Sequence, residues 1–320
     1  KIAPALAHGN SVVFKPAELV PACGWALAEI ISRAALPAGA FNLLMGSGRV
    51  VGQALVEHPA VDALSFTGSV AVGERLLQAA AKRRAKVQLE MGGKNALVVM
   101  ADADLERAVD CAVQGAYFAA GQRCTASSRL IVEAPLHDAF VAKLRQRVAA
   151  LKVGHALEPG IEIGPVADAA QLARNLDWVQ TARDEGAEHV WGGEALTRPS
   201  PGHYMSPALF LAQPEQRVAR EEIFGPLACV LRAEDYEHAL ELANDTPFGL
   251  CAGIVTRSLA HATHFRRNAR VGMTMVNLPT TGVDYHVPSG GRRASGYGPR
   301  EQGRQAAEFY TALKTGYMQA

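Results

Sequence analysis

From residue 11 to residue 90 the chain alternates short β-branched runs with amphipathic stretches, and no other feature limits its fold so tightly. The pattern predicts strands at 11–14, 41–45, 63–66 and 86–90, with helices at 21–35, 50–57 and 72–81 between them. Strands joined by helices of that length must run parallel, so the crossovers cover both faces of the sheet. The fold class this implies is α/β, opening with a partial Rossmann-type parallel sheet domain whose ligands bind beyond the carboxyl ends of its strands. Lys15 and the turn Thr67-Gly68-Ser69 fall at such ends.

A second series follows, with strands at 95–100, 129–134, 204–212, 226–232, 251–256 and 273–277 and helices at 102–119, 136–151, 171–185, 236–244 and 259–269. It predicts a second α/β domain, and residues 300–309 and 310–318 read as a final helix and an edge strand. The expected domains are therefore 1–92, 93–298 and 299–320, with Met91-Gly92-Gly93 as the passage between the first two. A chain of 320 residues that is 49% hydrophobic is long enough for two cores. Its 32 basic and 31 acidic side chains give no field for nucleic acid or an anionic membrane, so a small-molecule partner is expected. Five cysteines without paired spacing suit reduced thiols and a cytoplasmic setting, and no signal peptide or spanning run is visible. His261 and His264 share a helix face without a third ligand, so a metal is not expected there and they read as a solvated face.

The run Gly121-Gln122-Arg123-Cys124-Thr125-Ala126-Ser127-Ser128 carries a candidate nucleophile. A candidate base, Glu90, stands in Leu89-Glu90-Met91-Gly92-Gly93-Lys94. A thiolate can attack a carbonyl carbon, and a partly buried carboxylate can then activate the water that releases the acyl group. A buried thiol beside a helix-start glutamate is the bland alternative.

Both runs closely resemble active-site segments of the aldehyde dehydrogenase superfamily. Lys15-Pro16-Ala17-Glu18, Phe66-Thr67-Gly68-Ser69, Glu222-Ile223-Phe224-Gly225-Pro226 and Ser295-Gly296-Tyr297-Gly298-Pro299-Arg300-Glu301 resemble further motifs in the same order. Residues 277–291 look most like those of α-ketoglutarate semialdehyde (2,5-dioxopentanoate) dehydrogenases.

The resemblance implies NAD, with NADP as the alternative. Lys15 and Glu18 would meet the adenosine ribose, Gly48 the adenine-ribose part, Gly68 and Ser69 the pyrophosphate, and Glu222 and Phe224 the nicotinamide ribose and ring. A carboxylate at Glu18 would repel a 2′-phosphate, which favours NAD. The implied activity is oxidation of an aldehyde to an acid through Cys124, and the C-terminal strand would serve a homodimer or homotetramer. A coenzyme A-acylating enzyme would need no base such as Glu90. A papain-like hydrolase would need a histidine pairing with the thiol, and no histidine segment here resembles that family.

Ser289 stands where the family usually has phenylalanine, and a basic residue for a semialdehyde's carboxylate is expected at Arg123, at Arg292 or in the N-terminal part that family members carry. Lys1 to His8 reads as the tail of a helix, and family members carry a further N-terminal third that includes an oxyanion-holding asparagine. The expectation is a fragment of a longer product or a truncated sequence, impaired on its own. A truncated, catalytically silent subunit or interaction module is the reading from another class.

Overall fold

A computed structural model describes residues 1–319. The chain divides into two compact units, one made of Lys1–Glu90, Val283–Gly290 and the chain from Tyr297 on, the other of Met91–Gly282 and Gly291–Gly296. The segment from 299, expected to stand apart, groups with the first unit.

In the first unit, helix Ile2–Ala7 ends where Gly9 turns left-handed at φ +77°. The Gly9 and Asn10 amides then satisfy the Leu6 and Ala5 carbonyls. Strand Val12–Phe14 pairs in parallel with Phe41–Leu43, and Ala63–Thr67 with Lys86–Glu90 in the register Thr67↔Glu90. The helices between them are Pro21–Ser32, with proline in its first turn, Gln53–Glu57, entered through a π-helical turn at Gly48–Gly52, and Val70–Lys82. The last helix, Ala306–Tyr310, is held at its carbonyl end by the Lys86 ammonium, which donates to Glu308, Phe309 and Thr311 oxygens at 3.2, 3.1 and 2.6 Å.

The expected edge strand at 310–318 does not form. Residues 311–319 take neither helix nor strand and lie exposed, with Leu313, Tyr317 and Met318 in solvent. A strand exists only against a ladder partner, and the described part of this chain offers it none.

The second unit is built on a seven-stranded sheet. Its strand order is Met273–Val276, Cys251–Val255, Asn95–Val99, Ser127–Glu133, Leu227–Ala233, Ala208–Leu211, Glu188–Trp191, parallel except for the last pair. Helices cover both faces, so the central strands have no polar side. In Asn95–Val99, Leu97 and Val99 pack towards helices Leu105–Ala116 and Ala134–Ala149, while Ala96 and Val98 pack towards Ala169–Asp184 and Leu259–Asn268.

The expected strand at 204–212 is two elements. Tyr204–Met205 pairs with Ala195–Leu196, and after Pro207, which has no amide to give a ladder, Ala208–Leu211 joins the large sheet. Strand Glu188–Trp191 lies outside the strands that the pattern predicts. Among the described residues no helix is long and apolar enough to cross a membrane.

Candidate active site

The first unit brings Lys15, Glu18 and Gly48 together beyond strands Val12–Phe14 and Phe41–Leu43. Glu18 Oε1 accepts the Gly48 amide at 2.6 Å, and Lys15 Nζ donates to the Pro16 and Gly46 carbonyls at 2.5 and 3.3 Å. Both side chains thus point at the glycine turn that opens the π-helical segment.

At the end of the next strand, Gly68 and Ser69 divide their roles. The Gly68 amide is engaged by the Glu90 carbonyl at 3.1 Å, so it is not one of the donors anticipated for phosphate. Ser69 is the N-cap of helix Val70–Lys82, extended at φ −73° and ψ 153°, and its hydroxyl makes no cap bond. The helix start therefore keeps both a hydroxyl and the positive end of its dipole.

Glu90 closes strand Lys86–Glu90, and its carboxylate passes over the α-carbon of Gly290. A Cβ there would lie 2.5 Å from Glu90 Oε1 and 2.9 Å from Arg300 Nη1. The structure adds a group that sequence reasoning misses. The Lys1 ammonium pairs with Glu301 and donates to Ser65 Oγ at 3.0 Å, and burial lowers its pKa to about 8 while the charge of Glu90 pulls it back up. The only sequence signal is the motif containing Arg300 and Glu301. Ser289 exchanges backbone hydrogen bonds with Glu301 at 2.8 and 2.9 Å.

In the second unit, Cys124 is exposed on a turn reached through Ala119, Ala120 and Gly121, all left-handed at φ +55°, +54° and +64°. For the two alanines that conformation costs about 1–2 kcal/mol each. At Gly121 that conformation is open to glycine, and glycine is required there because a Cβ would clash with the Gly225 carbonyl. Below the turn, the Asn95 amide donates to the Cys124 and Ala126 carbonyls, and Thr280 Oγ1 donates to the Thr125 carbonyl at 2.6 Å. The exposed thiol therefore sits on a backbone fixed at three successive carbonyls.

Glu222 faces the same region. Its Oε1 accepts the Gly93 amide at 3.1 Å, and a side chain at Gly92 would clash with the carboxylate. Burial raises the Glu222 pKa, while the Gly93 N–H and the charge of Lys94 oppose the rise. Phe224 is 40% exposed and left-handed at φ +57°, a strained state for an aromatic residue. Arg123, Glu222, Phe224 and Gly93 line one small void, which puts Arg123 on the wall shared with Glu222 and Phe224, and Arg292 is exposed.

His261 and His264 are not a bare solvated face. His261 stacks on the buried Tyr236 ring at 4.4 Å, and His264 Nδ1 meets the Tyr236 hydroxyl at 2.8 Å. No metal-binding cluster occurs among the described residues.

Residues 1–316 match the model of the aldehyde dehydrogenase family, and the chain belongs to that family. It is 42% identical over 319 residues to an α-ketoglutaric semialdehyde dehydrogenase of Bacillus subtilis (strain 168), covering 98% of this chain and 65% of that protein. Among solved structures it is similar to HpcC from Thermus thermophilus, with TM-score 0.95, 42% identity and coverage of 98% of this chain and 62% of that one. It is also similar to a betaine aldehyde dehydrogenase from Staphylococcus aureus in complex with NAD+, with TM-score 0.94, 34% identity and coverage of 97% and 62%. The chain thus spans just under two thirds of the length of these relatives.

Proposed function

We propose that the chain carries the nucleophile, the base and most of the cofactor contacts of an NAD-dependent aldehyde dehydrogenase. The observation that carries this reading is the exposed Cys124 thiol on a strained turn held by buried hydrogen bonds. A nucleophile must be both accessible and held still.

In this reading Cys124 adds to the aldehyde carbon. The adduct's oxyanion must be held by donors worth about 3–4 kcal/mol each. A bound nicotinamide supplies the acceptor for the hydride that leaves that carbon. Glu90 then removes a proton from water as it attacks the thioester, and the acid departs from the Cys124 sulfur. The Lys1 ammonium, paired with Glu301, puts a positive charge in the neighbourhood of Glu90.

The residues present fit the cofactor. Glu18 and Lys15 offer an acceptor and a donor for ribose hydroxyls, and the carboxylate favours NAD over NADP. Ser69 caps a helix start suited to phosphate. Glu222 and Phe224 supply an acceptor and an aromatic edge for the nicotinamide ribose and ring.

The substrate we propose is α-ketoglutarate semialdehyde or a related semialdehyde, supported by the Bacillus subtilis relative's name and by the 277–291 segment. The active form would be a homodimer or homotetramer in the cytoplasm. The test is NADH formation from α-ketoglutarate semialdehyde, succinic semialdehyde and betaine aldehyde. Turnover preferring the first and lost in Cys124→Ala supports the reading. Cofactor binding without turnover of any of the three contradicts it.

A further inference from the structure

We infer that Asn95 is a positioning residue for the nucleophile: it fixes the Cys124 turn where the backbone ladder can no longer do so. The inference rests on the reading of Cys124 given above and deepens it.

Asn95 is 3% exposed and opens the fully buried central strand Asn95–Val99. Its register with Ser127–Glu133 is irregular at this point, Asn95 facing Ser127 while Ala96 faces Arg129. Here the side chain takes over from the ladder. Both hydrogens of its Nδ2 are engaged, by the Cys124 carbonyl at 2.8 Å and the Ala126 carbonyl at 2.9 Å. Oδ1 accepts the Cys251 amide at 3.1 Å, which ties the clamp to the neighbouring strand Cys251–Val255.

One amide thus makes three of the four hydrogen bonds it can form, and two of them hold the nucleophile's own carbonyl and the carbonyl two residues further on. Only an amide of this length does so. A carboxylate of the same shape would turn an acceptor towards two carbonyl oxygens and place a negative charge under the thiol. A serine cannot span both carbonyls.

Gly93 shows how close the fit is. A Cβ at Gly93 would come within 2.8 Å of Asn95 Oδ1 and 3.0 Å of the Cys124 carbonyl, and the Gly93 amide itself holds Glu222. The three residues from Gly93 to Asn95 therefore set Glu222 and Cys124 from one short, buried piece of backbone.

The experiment is alkylation of Cys124 by iodoacetamide across pH, followed by peptide mass, in the protein and in its Asn95→Asp and Asn95→Ser variants, with circular dichroism to confirm folding. In Asn95→Asp the midpoint of the pH profile should rise and the neutral-pH rate should fall about tenfold, which corresponds to about 1.4 kcal/mol. In Asn95→Ser the rate should fall with a smaller movement of the midpoint. Where turnover is measurable, kcat should fall while KM for NAD stays within about twofold. A purely structural role would lower the melting temperature and leave the alkylation profile in place. Folded variants whose profiles superimpose on the parent's overturn the inference, and Asn95→Ser decides the matter if Asn95→Asp does not fold. The alkylation needs neither aldehyde nor cofactor. A parent that alkylates with a variant-sensitive profile but oxidises no aldehyde would keep the clamp and remove the dehydrogenase reading.

Discussion

Cys124, Glu90 and Glu222 stand out in the sequence because each lies in a run whose neighbours are chemically unusual, and the structure gives each run a physical reason. Gly121 is left-handed with no room for a Cβ, and Gly92 must leave room for the Glu222 carboxylate. What the sequence cannot display is burial, and Lys94 shows the cost. It is 1% exposed, and its ammonium has no hydrogen-bond partner among the described residues. Burial lowers its pKa from 10.5 to about 8, Cys229 and Glu222 pulling it up and Arg129 pushing it further down. Between those two values the unfolded chain holds a proton that the folded chain has released, so stability from this residue rises as pH climbs through that window. Lys94→Met should therefore be more stable than the parent near pH 7, by about 3 kcal/mol at most, with the gap closing towards pH 10. Urea melts at the two pH values measure this, and a gap that ignores pH contradicts it. Lys1 and Glu301 are hidden for the same reason, since nothing in the local pattern says that residues 300 positions apart form an ion pair.

The elements most legible in the sequence are those whose local signals agree with their packing. Tyr236–Asn244 has the predicted bounds because Asp235 caps it, accepting the His238 amide at 2.8 Å, and its apolar residues face one core. Asp235→Ala should cost about 1 kcal/mol, read as a lower urea midpoint with unchanged slope. An unchanged midpoint would mean that packing alone sets this helix. Glu188–Trp191 is hard to read because an edge strand with two exposed residues lacks the alternation that marks a half-buried strand. Residues 204–212 read as one strand because apolar content runs on across Pro207, whose missing amide decides the break. At the C-terminus the mismatch runs the other way, since strand-like composition at 310–318 yields no strand without a ladder partner. Gly298 is a sharper test of close approach. It is left-handed at φ +85°, and a Cβ would clash with the Val87 carbonyl, so Gly298→Ala should destabilise the first unit by more than about 2 kcal/mol, measured by hydrogen exchange of the 86–90 amides.

At the scale of the whole molecule the α/β class follows from strand and helix order alone, whereas the unequal cores of the two units do not. Both large apolar clusters belong to the second unit, while the first leaves Trp25, Ile30 and Val50 60–62% exposed. Periodicity marks an apolar helix such as Pro21–Ser32 but cannot say what covers it. The first unit should accordingly exchange its amides faster than the sheet of the second, and NAD, whose adenosine ribose we assign to Lys15 and Glu18, should slow that exchange. Equal rates in both units, untouched by NAD, would contradict this. The central claim is that one cysteine forms the covalent link and one glutamate releases it. Its most direct test is the intact mass of the Glu90→Gln protein after mixing with NAD and α-ketoglutarate semialdehyde. The account predicts an acyl adduct that accumulates on Cys124 and disappears in Cys124→Ala; turnover that continues without Cys124, or an adduct on another residue, would contradict it.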